Sequence, residues 1–379
     1  MSDSPIDDCD ARWYTIANAE EIDSPALLVY PPRIVENIRR MIAIAGGGER
    51  GGVDRLRPHV KTHKMSEVVR LQLAAGIRRF KCATLSEMEM TAAAGAPDVL
   101  LAHQPVGPKI AKLVALSARF PRTRLATILD DAPTAARLSA AFQESGRRID
   151  VLLDLDLGMG RTGIQPGPEA VALYQQLASL PGIRPCGLHA YDGHLHQTDP
   201  AARRQACDAA MAPVVALRGE LQRLGFDVSE LVAGGTPTFP IHAEHADRQL
   251  SPGTCLLWDA GYSAALPDLD FLLAAALLSR VVSKPAPDCI CLDLGHKAVA
   301  ADPKGLRVVW PELPDAEVMV HSEEHLTLRT ARARELAVGD VLYGIPWHIC
   351  PTCALHARAI VVSDGRASDE WPIDARNRI

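Results

Sequence analysis

The chain lacks any uncharged apolar run near the roughly eighteen residues a membrane-spanning helix requires. Its longest candidate, residues 271–278, is cut by Ser279 and Arg280. Basic charge is not in excess either: the net charge of -6 argues against a nucleic-acid binder, which needs a basic stripe to neutralise phosphates. Residues 1–15 are acidic and have neither the basic start nor the apolar stretch of a secretory signal. The nine cysteines, an odd number scattered from Cys9 to Cys353, form no small-domain disulfide framework, so a reducing cytoplasm is expected. There is no internal repeat, no low-complexity tract, and no G-x-G-x-x-G after the first strand candidate.

What is present is an ordinary globular composition, 47% hydrophobic and 23% charged over 379 residues. That length suits two or three domains, or one large barrel with a smaller partner. From residue 24 to about 260, short runs rich in Val, Ile and Leu alternate with longer Ala-, Leu- and Glu-rich stretches of helical spacing, the signature of repeated βα units. The strand candidates are 26–30, 56–61, 80–84, 99–103, 125–129, 151–156, 186–191 and 230–233. Several intervening helices end at Gly76, Gly95, Gly146 or Gly225, where a left-handed cap is expected. Eight strands, each followed by a helix or connection, predict an α/β fold with a (β/α)8 TIM-type barrel over 24–261; an open doubly wound sheet is the alternative. After about residue 262, strand-spaced apolar runs broken by Pro, Gly and Asp predict a smaller, mostly β domain over 262–379. Residues 1–23 precede the barrel, with room to add a strand to it or to join the second domain.

The chemistry concentrates in a few segments. In Arg57-Pro58-His59-Val60-Lys61-Thr62-His63-Lys64, strand alternation puts His59, Lys61 and His63 on one face. A lysine buried there costs several kcal/mol, on the order of other unpaired buried polar groups, unless it is paired or used. Desolvated near other cations, it becomes an imine-forming nucleophile; the alternative is a solvated basic turn. Gly234-Gly235-Thr236 and Pro252-Gly253-Thr254 offer backbone N–H groups that a phosphate can approach, or simple turns. Arg161 sits on the glycine-flexed loop 158–163, its fork suited to a phenolate or carboxylate, or to a plain surface. His189-Ala190-Tyr191-Asp192-Gly193-His194-Leu195-His196 packs three histidines into eight residues, poor core fillers but good proton shuttles or metal ligands. His348 and Cys350 share a face if their segment is a strand, offering an imidazole and a thiolate to one divalent ion. Alternatively His348, Cys350, Cys353 and His356 form a zinc knuckle, or His348 is a structural histidine beside buried cysteines.

Taken in order, PHVKTHK, RTG at 161–163, HAYDGHLH, GGTPT and HICPT resemble the alanine-racemase-like, fold type III pyridoxal-phosphate enzymes over nearly the whole chain, most closely the D-threonine aldolase and D-serine dehydratase branch. The resemblance implies a barrel followed by a β domain, and a homodimer acting on a small D-amino acid rather than on nucleic acid or membranes. It implies that Lys61 carries pyridoxal phosphate, that His59, Arg161, Tyr191, Gly234, Gly235, Thr236, Gly253 and Thr254 bind that cofactor, and that His348 and Cys350 hold zinc, manganese or cobalt. Tyr191, with His194 or His196, joins Lys61 in catalysis; the position where the aldolases carry their base histidine is Gln197 here. The interval of about 290 residues from Lys61 to His348 resembles the aldolases, whereas Cys350 resembles the dehydratases. Retro-aldol cleavage of a D-3-hydroxy amino acid is therefore the expected reaction. The alternatives are elimination from D-serine or D-3-hydroxyaspartate to a keto acid and ammonia, and a non-catalytic cofactor carrier, which would need no metal.

Overall fold

The computed structural model describes residues 12–47, 51–303 and 305–378; Cys9 and most of the acidic N-terminal segment lie outside them. The chain divides into two compact units. One comprises Met41–Lys61 and Val69–Gly253; the other comprises the segment up to Arg40 together with Thr62–Val68 and Thr254–Arg376.

Strand β1 (Ala26–Val29) belongs to the second of these. The first is built on seven parallel strands, β2 (Arg79–Cys82), β3 (Asp98–Leu101), β4 (Arg124–Leu129), β5 (Ile149–Asp156), β6 (Ile183–Tyr191), β7 (Glu230–Ala233) and β8 (Gln249–Leu250), hydrogen-bonded in that order. Residues 56–60 close the ring. Arg57 N donates to Leu250 O and His59 N to Pro252 O, each at 2.8 Å, while Val60 N donates to Lys81 O at 2.9 Å on the other side. The expected barrel is thus present, but its staves shift by one. The candidate at 26–30 is not a stave, and β8, only two residues long, supplies the eighth. The fully buried interior runs of β4 and β5 read as continuous apolar stretches because helices cover the outside while side chains fill the inside. Thr84, Asp131 and Asp199 cap the N-termini of the helices that follow them. Gly76, Gly95, Gly146 and Gly225 all take positive φ at helix ends, as expected.

At the N-terminal ends of the strands, three arginines meet three carboxylates. Arg57, 1% exposed, pairs with Asp98 at 2.5 Å and Glu230 at 3.3 Å; Arg124 contacts Asp98, Asp150 and Glu230 at 2.5–2.8 Å; Arg184 reaches Asp150 at 2.7 Å. This charge-balanced floor leaves the C-terminal ends free for chemistry, as barrels of this kind do.

The other unit carries a nine-stranded sheet. Its strands are β1, β9 (Ala275–Ala286), β10 (Cys289–Leu292), β11 (Val308–Val309), β12 (Glu317–His321), β13 (Leu326–Arg329), β14 (Val341–Pro346), β15 (Arg358–Ser363) and β16 (Arg366–Pro372). The order is β12-β13-β10-β9-β1-β15-β16, with β14 on β9 and β11 on β14. Strand β1 lies antiparallel to β9 and parallel to β15, and Leu28, Leu278, Tyr343, Ile345 and Ile360 pack around it. The expected strand over 317–328 is a hairpin. The one over 341–350 stops at Pro346, and the helix Ile349–Leu355 follows. Among the described residues, no helix is long and apolar enough to cross a membrane.

Candidate active site

At the C-terminal ends of the barrel strands lies a cavity of about 480 Å3, walled by His59, Lys61, Lys81, Asp154, Arg161, His189 and Tyr191 among others. Residues 60–63 form a turn, so the expected alternation ends at His59. Lys61 and His59 line the cavity. His63 instead belongs to the other unit, fully buried, its Nδ1 accepting from Met65 N at 3.1 Å, and burial pushes it down to about 3. His59 Nδ1 accepts from Lys61 N at 3.3 Å.

Tyr191, at the end of β6, is the hub. The Nζ atoms of Lys61 and Lys81 each stand 5.5 Å from its ring centroid, and the Arg161 guanidinium stands at 4.8 Å, so three basic side chains lie within cation–π reach of one ring. Arg161 is placed by its loop: Asp156 Oδ1 accepts from Gly158 N and Gly160 N at 3.0 Å each, and Asp130 accepts from Gly163 N at 2.7 Å. His189, two residues before Tyr191 and facing the same way, donates from Nδ1 to Asp154 at 2.7 Å. Burial, opposed by Asp154, lowers its pKa, so the ring is neutral. Its buried Nε2 has no hydrogen-bond partner among the described residues.

Four of the expected phosphate-binding residues converge. Gly234 takes φ +73°, and any Cβ there would collide with His242; a Cβ on Gly235 would stand 3.1 Å from the Tyr191 ring. Thr236 Oγ1 accepts from Gly253 N at 3.0 Å, joining the two glycine segments. Behind them Asp192 accepts from Thr238 Oγ1 and His242 Nε2, each at 2.8 Å, while His242 Nδ1 accepts from Arg248 at 2.9 Å. Asp192, Cys207 and His242 bring potential ligand atoms within 4.8 Å of one another. His242 is already committed at both nitrogens, and a guanidinium sits against it, so the group is a hydrogen-bonded strut for the glycine loop rather than a cation site. Thr254, expected at the phosphate, falls in the other unit, its Oγ1 3.5 Å from Cys350 Sγ.

Of the two candidate bases, His196 is exposed. His194 is half-buried over Gly158, its Nε2 3.7 Å from where a Cβ on that glycine would be, and its buried Nδ1 has no hydrogen-bond partner among the described residues.

In the other unit, His348 is the N-cap of the helix Ile349–Leu355 and Cys350 lies in its first turn, so a helix end rather than a strand face presents the pair. His348 Nδ1 hydrogen-bonds Asp302 at 2.6 Å, and Thr62 Oγ1 lies 3.2 Å from Cys350 Sγ. Burial opposes charge on His348, but hydrogen bonds to Cys350 and Asp302 outweigh it and raise its pKa to about 9. The anionic neighbours that favour positive charge on this imidazole would equally favour a dication, whose binding displaces that proton. The four-ligand knuckle is not formed: His356 Nε2 donates to Ala298 O at 2.8 Å, and the fully buried Cys353 thiol has its pKa pushed well up.

Lys81, Asp154, Asp192 and His242 are site residues that the sequence reading missed. Lys81 alternates with Phe80 and Cys82 on a barrel-interior face, and Asp192 stands inside the HAYDGH motif.

The cavity fits pyridoxal phosphate: an amine for its aldehyde, an aromatic wall with an unpaired imidazole nitrogen, and a glycine cradle of the kind a phosphate requires. Comparison with known proteins agrees. The model for the alanine racemase N-terminal domain matches residues 30–260, and one described as a putative serine dehydratase domain matches 274–362. The chain belongs to the alanine-racemase-like, fold type III family of pyridoxal-phosphate-dependent enzymes, in its lyase branch. It is 33% identical to a D-threonine aldolase of an Arthrobacter species, covering 94% of this chain and 93% of that protein. It is 29% identical to a 3-hydroxy-D-aspartate aldolase of Paracoccus denitrificans over the same shares. The crystal structure of D-threonine aldolase from Filomicrobium marinum superposes with a TM-score of 0.87 at 28% identity, covering 96% of this chain and 98% of that one.

Proposed function

We propose that the protein is a pyridoxal-phosphate- and divalent-metal-dependent lyase that cleaves D-3-hydroxy amino acids of the D-threonine type to glycine and an aldehyde. The observation that carries the reading is the Lys61, Tyr191 and Arg161 constellation above the glycine cradle, in a chain whose aldolase relatives match it almost from end to end.

Bound through Lys61, the cofactor supplies an electron sink for charge left on the substrate Cα. His348 and Cys350 hold a divalent ion, whose contribution is Lewis-acid polarisation of a hydroxyl oxygen. Tyr191 walls the ring pocket, Arg161 binds an oxygen at its edge, and Gly234, Gly235, Thr236 and Gly253 form a side-chain-poor cradle that lets the phosphate approach the backbone. His194, half-buried over Gly158, removes the hydroxyl proton as the Cα–Cβ bond breaks. Zinc is the metal best matched to an imidazole and a thiolate. A homodimer in a reducing cytoplasm completes the reading, which the eight described cysteines, all free thiols, support.

The second reading, elimination to a keto acid and ammonia with Lys61 as base, is favoured by Cys350 and by the match of 274–362 to the serine dehydratase domain model. Single His194→Gln and His196→Gln variants separate the two. Aldol cleavage predicts a loss of roughly a hundredfold in kcat for His194→Gln alone, with the cofactor absorbance retained; equal activity in both variants contradicts the assignment of His194.

A further inference from the structure

Each of the two side chains assigned to the metal has a polar neighbour that the chemistry described so far leaves unused. Beside His348 it is Asp302, whose Oδ2 lies 2.6 Å from Nδ1. A carboxylate can only accept, so Nδ1 carries the ring proton and the free lone pair of the neutral imidazole falls on Nε2. The two ring nitrogens point to different sides, which puts a carboxylate on Nδ1 out of reach of an ion on Nε2. The hydrogen bond between His348 and Cys350 is accordingly left to Nε2, the nitrogen available to a metal.

Beside Cys350, the Thr62 hydroxyl lies 3.2 Å from Sγ and the Thr254 hydroxyl 3.5 Å. Both threonines are buried. A metal-bound sulfur is a thiolate with no proton to give, so these hydroxyls can only donate to it. The backbone that carries the pair is tied down as well. Buried Asp259 accepts from Ile349 N at 3.0 Å and from Tyr262 N at 2.8 Å, and Thr352 Oγ1 donates to His348 O at 2.7 Å. All of these residues belong to one unit.

Asp302 is half exposed, and an exposed ion pair adds little to stability. A metal-binding imidazole, by contrast, normally has a carboxylate or carbonyl on its other nitrogen, which fixes the tautomer and strengthens the donor. We propose that Asp302 and Thr62 are positioning residues of the metal site. Asp302 holds His348 with Nε2 free for the ion, and Thr62 fixes the Cys350 sulfur and draws charge from it. This rests on the reading of His348 and Cys350 as the metal ligands.

The test is the zinc affinity of the full-length, cofactor-loaded chain, measured at fixed pH by competition with a chelating dye, together with the sulfur-to-cobalt charge-transfer band of the cobalt-loaded chain. Asp302→Ala should weaken zinc binding about 10–100-fold, the usual scale for the outer partner of a metal ligand. Asp302→Asn, whose carbonyl still accepts from Nδ1–H, should fall between that variant and the wild type. Thr62→Val should move the charge-transfer band to longer wavelength, because a sulfur that has lost a donor gives up electrons more readily, and Thr62→Ser should restore it; a purely packing role moves neither the band nor its rescue. Wild-type zinc affinity in either folded Asp302 variant overturns the role of Asp302, and an unshifted band in Thr62→Val overturns that of Thr62. Cys350→Ser tests the underlying reading separately: if its zinc affinity and cobalt band match the wild type, the metal site and both roles fall together, whereas loss of the band there with unchanged Asp302 and Thr62 variants defeats the positioning roles alone.

Discussion

Replacing Arg57 by Met should destabilise the barrel by about 2–3 kcal/mol. Arg57 is buried at the floor, its guanidinium on Asp98 at 2.5 and 3.2 Å, on Glu230 at 3.3 Å and on Gln249 Oε1 at 2.7 Å. Breaking a buried ion pair from one side typically costs about 3–5 kcal/mol, because the remaining charge stays desolvated. Here the loss is reduced, since Arg124 still contacts both Asp98 and Glu230. Met keeps most of the buried stem, so the effect is electrostatic rather than a cavity. The floor balances three arginines against three carboxylates; the variant leaves two against three. Removing one carboxylate as well, in Arg57→Met/Asp98→Asn, restores two against two and should recover more than half of the loss. The pH dependence follows from Asp98. Burial alone would raise its pKa, but Arg57 and Arg124 outweigh that and hold it below the ordinary carboxylate range. A carboxylate depressed in the folded state contributes stability above its unfolded pKa, and the contribution is lost as pH falls through the folded value. The wild-type advantage over Arg57→Met should therefore be full at pH 7 and shrink below about pH 4, the ordinary aspartate range. Urea unfolding followed by far-ultraviolet circular dichroism reads both quantities, the five tryptophans all lying in the other unit. A change under about 1 kcal/mol at pH 7, or a double variant no more stable than the single one, would refute the reasoning.

Lys61→Ala should abolish the absorbance band of the lysine-bound cofactor while leaving the far-ultraviolet circular dichroism intact; a variant that keeps the band sinks the cofactor assignment. Chelation, or Cys350→Ser, should remove the metal and lower turnover by about a hundredfold or more, the scale of a lost Lewis acid, without unfolding the barrel. Full activity after verified metal loss would refute the role of the metal.

Much of the barrel was legible because fully buried parallel strands are continuous apolar runs. Residues 125–129 and 230–233 carry such runs, and the structure places strands there. The run at 26–30 looks the same, but an apolar strand carries no mark of its partner, and its ladders go to β9 and β15. Strand β8 was missed because Gln249–Leu250 is too short to show a period. Lys81 was missed for a different reason: alternation in Arg79-Phe80-Lys81-Cys82 assigns lysine to the solvent face, whereas in a barrel the second face is the interior. The tight turn after His59 likewise separated His63 from Lys61, because face-sharing holds only while the strand continues.

The most direct test of the central claim is a product assay on purified protein loaded with pyridoxal phosphate and divalent metal, given D-threonine, D-allothreonine and D-serine in turn. Glycine and acetaldehyde from the threonines is the predicted result; keto acid and ammonia in their place would contradict it.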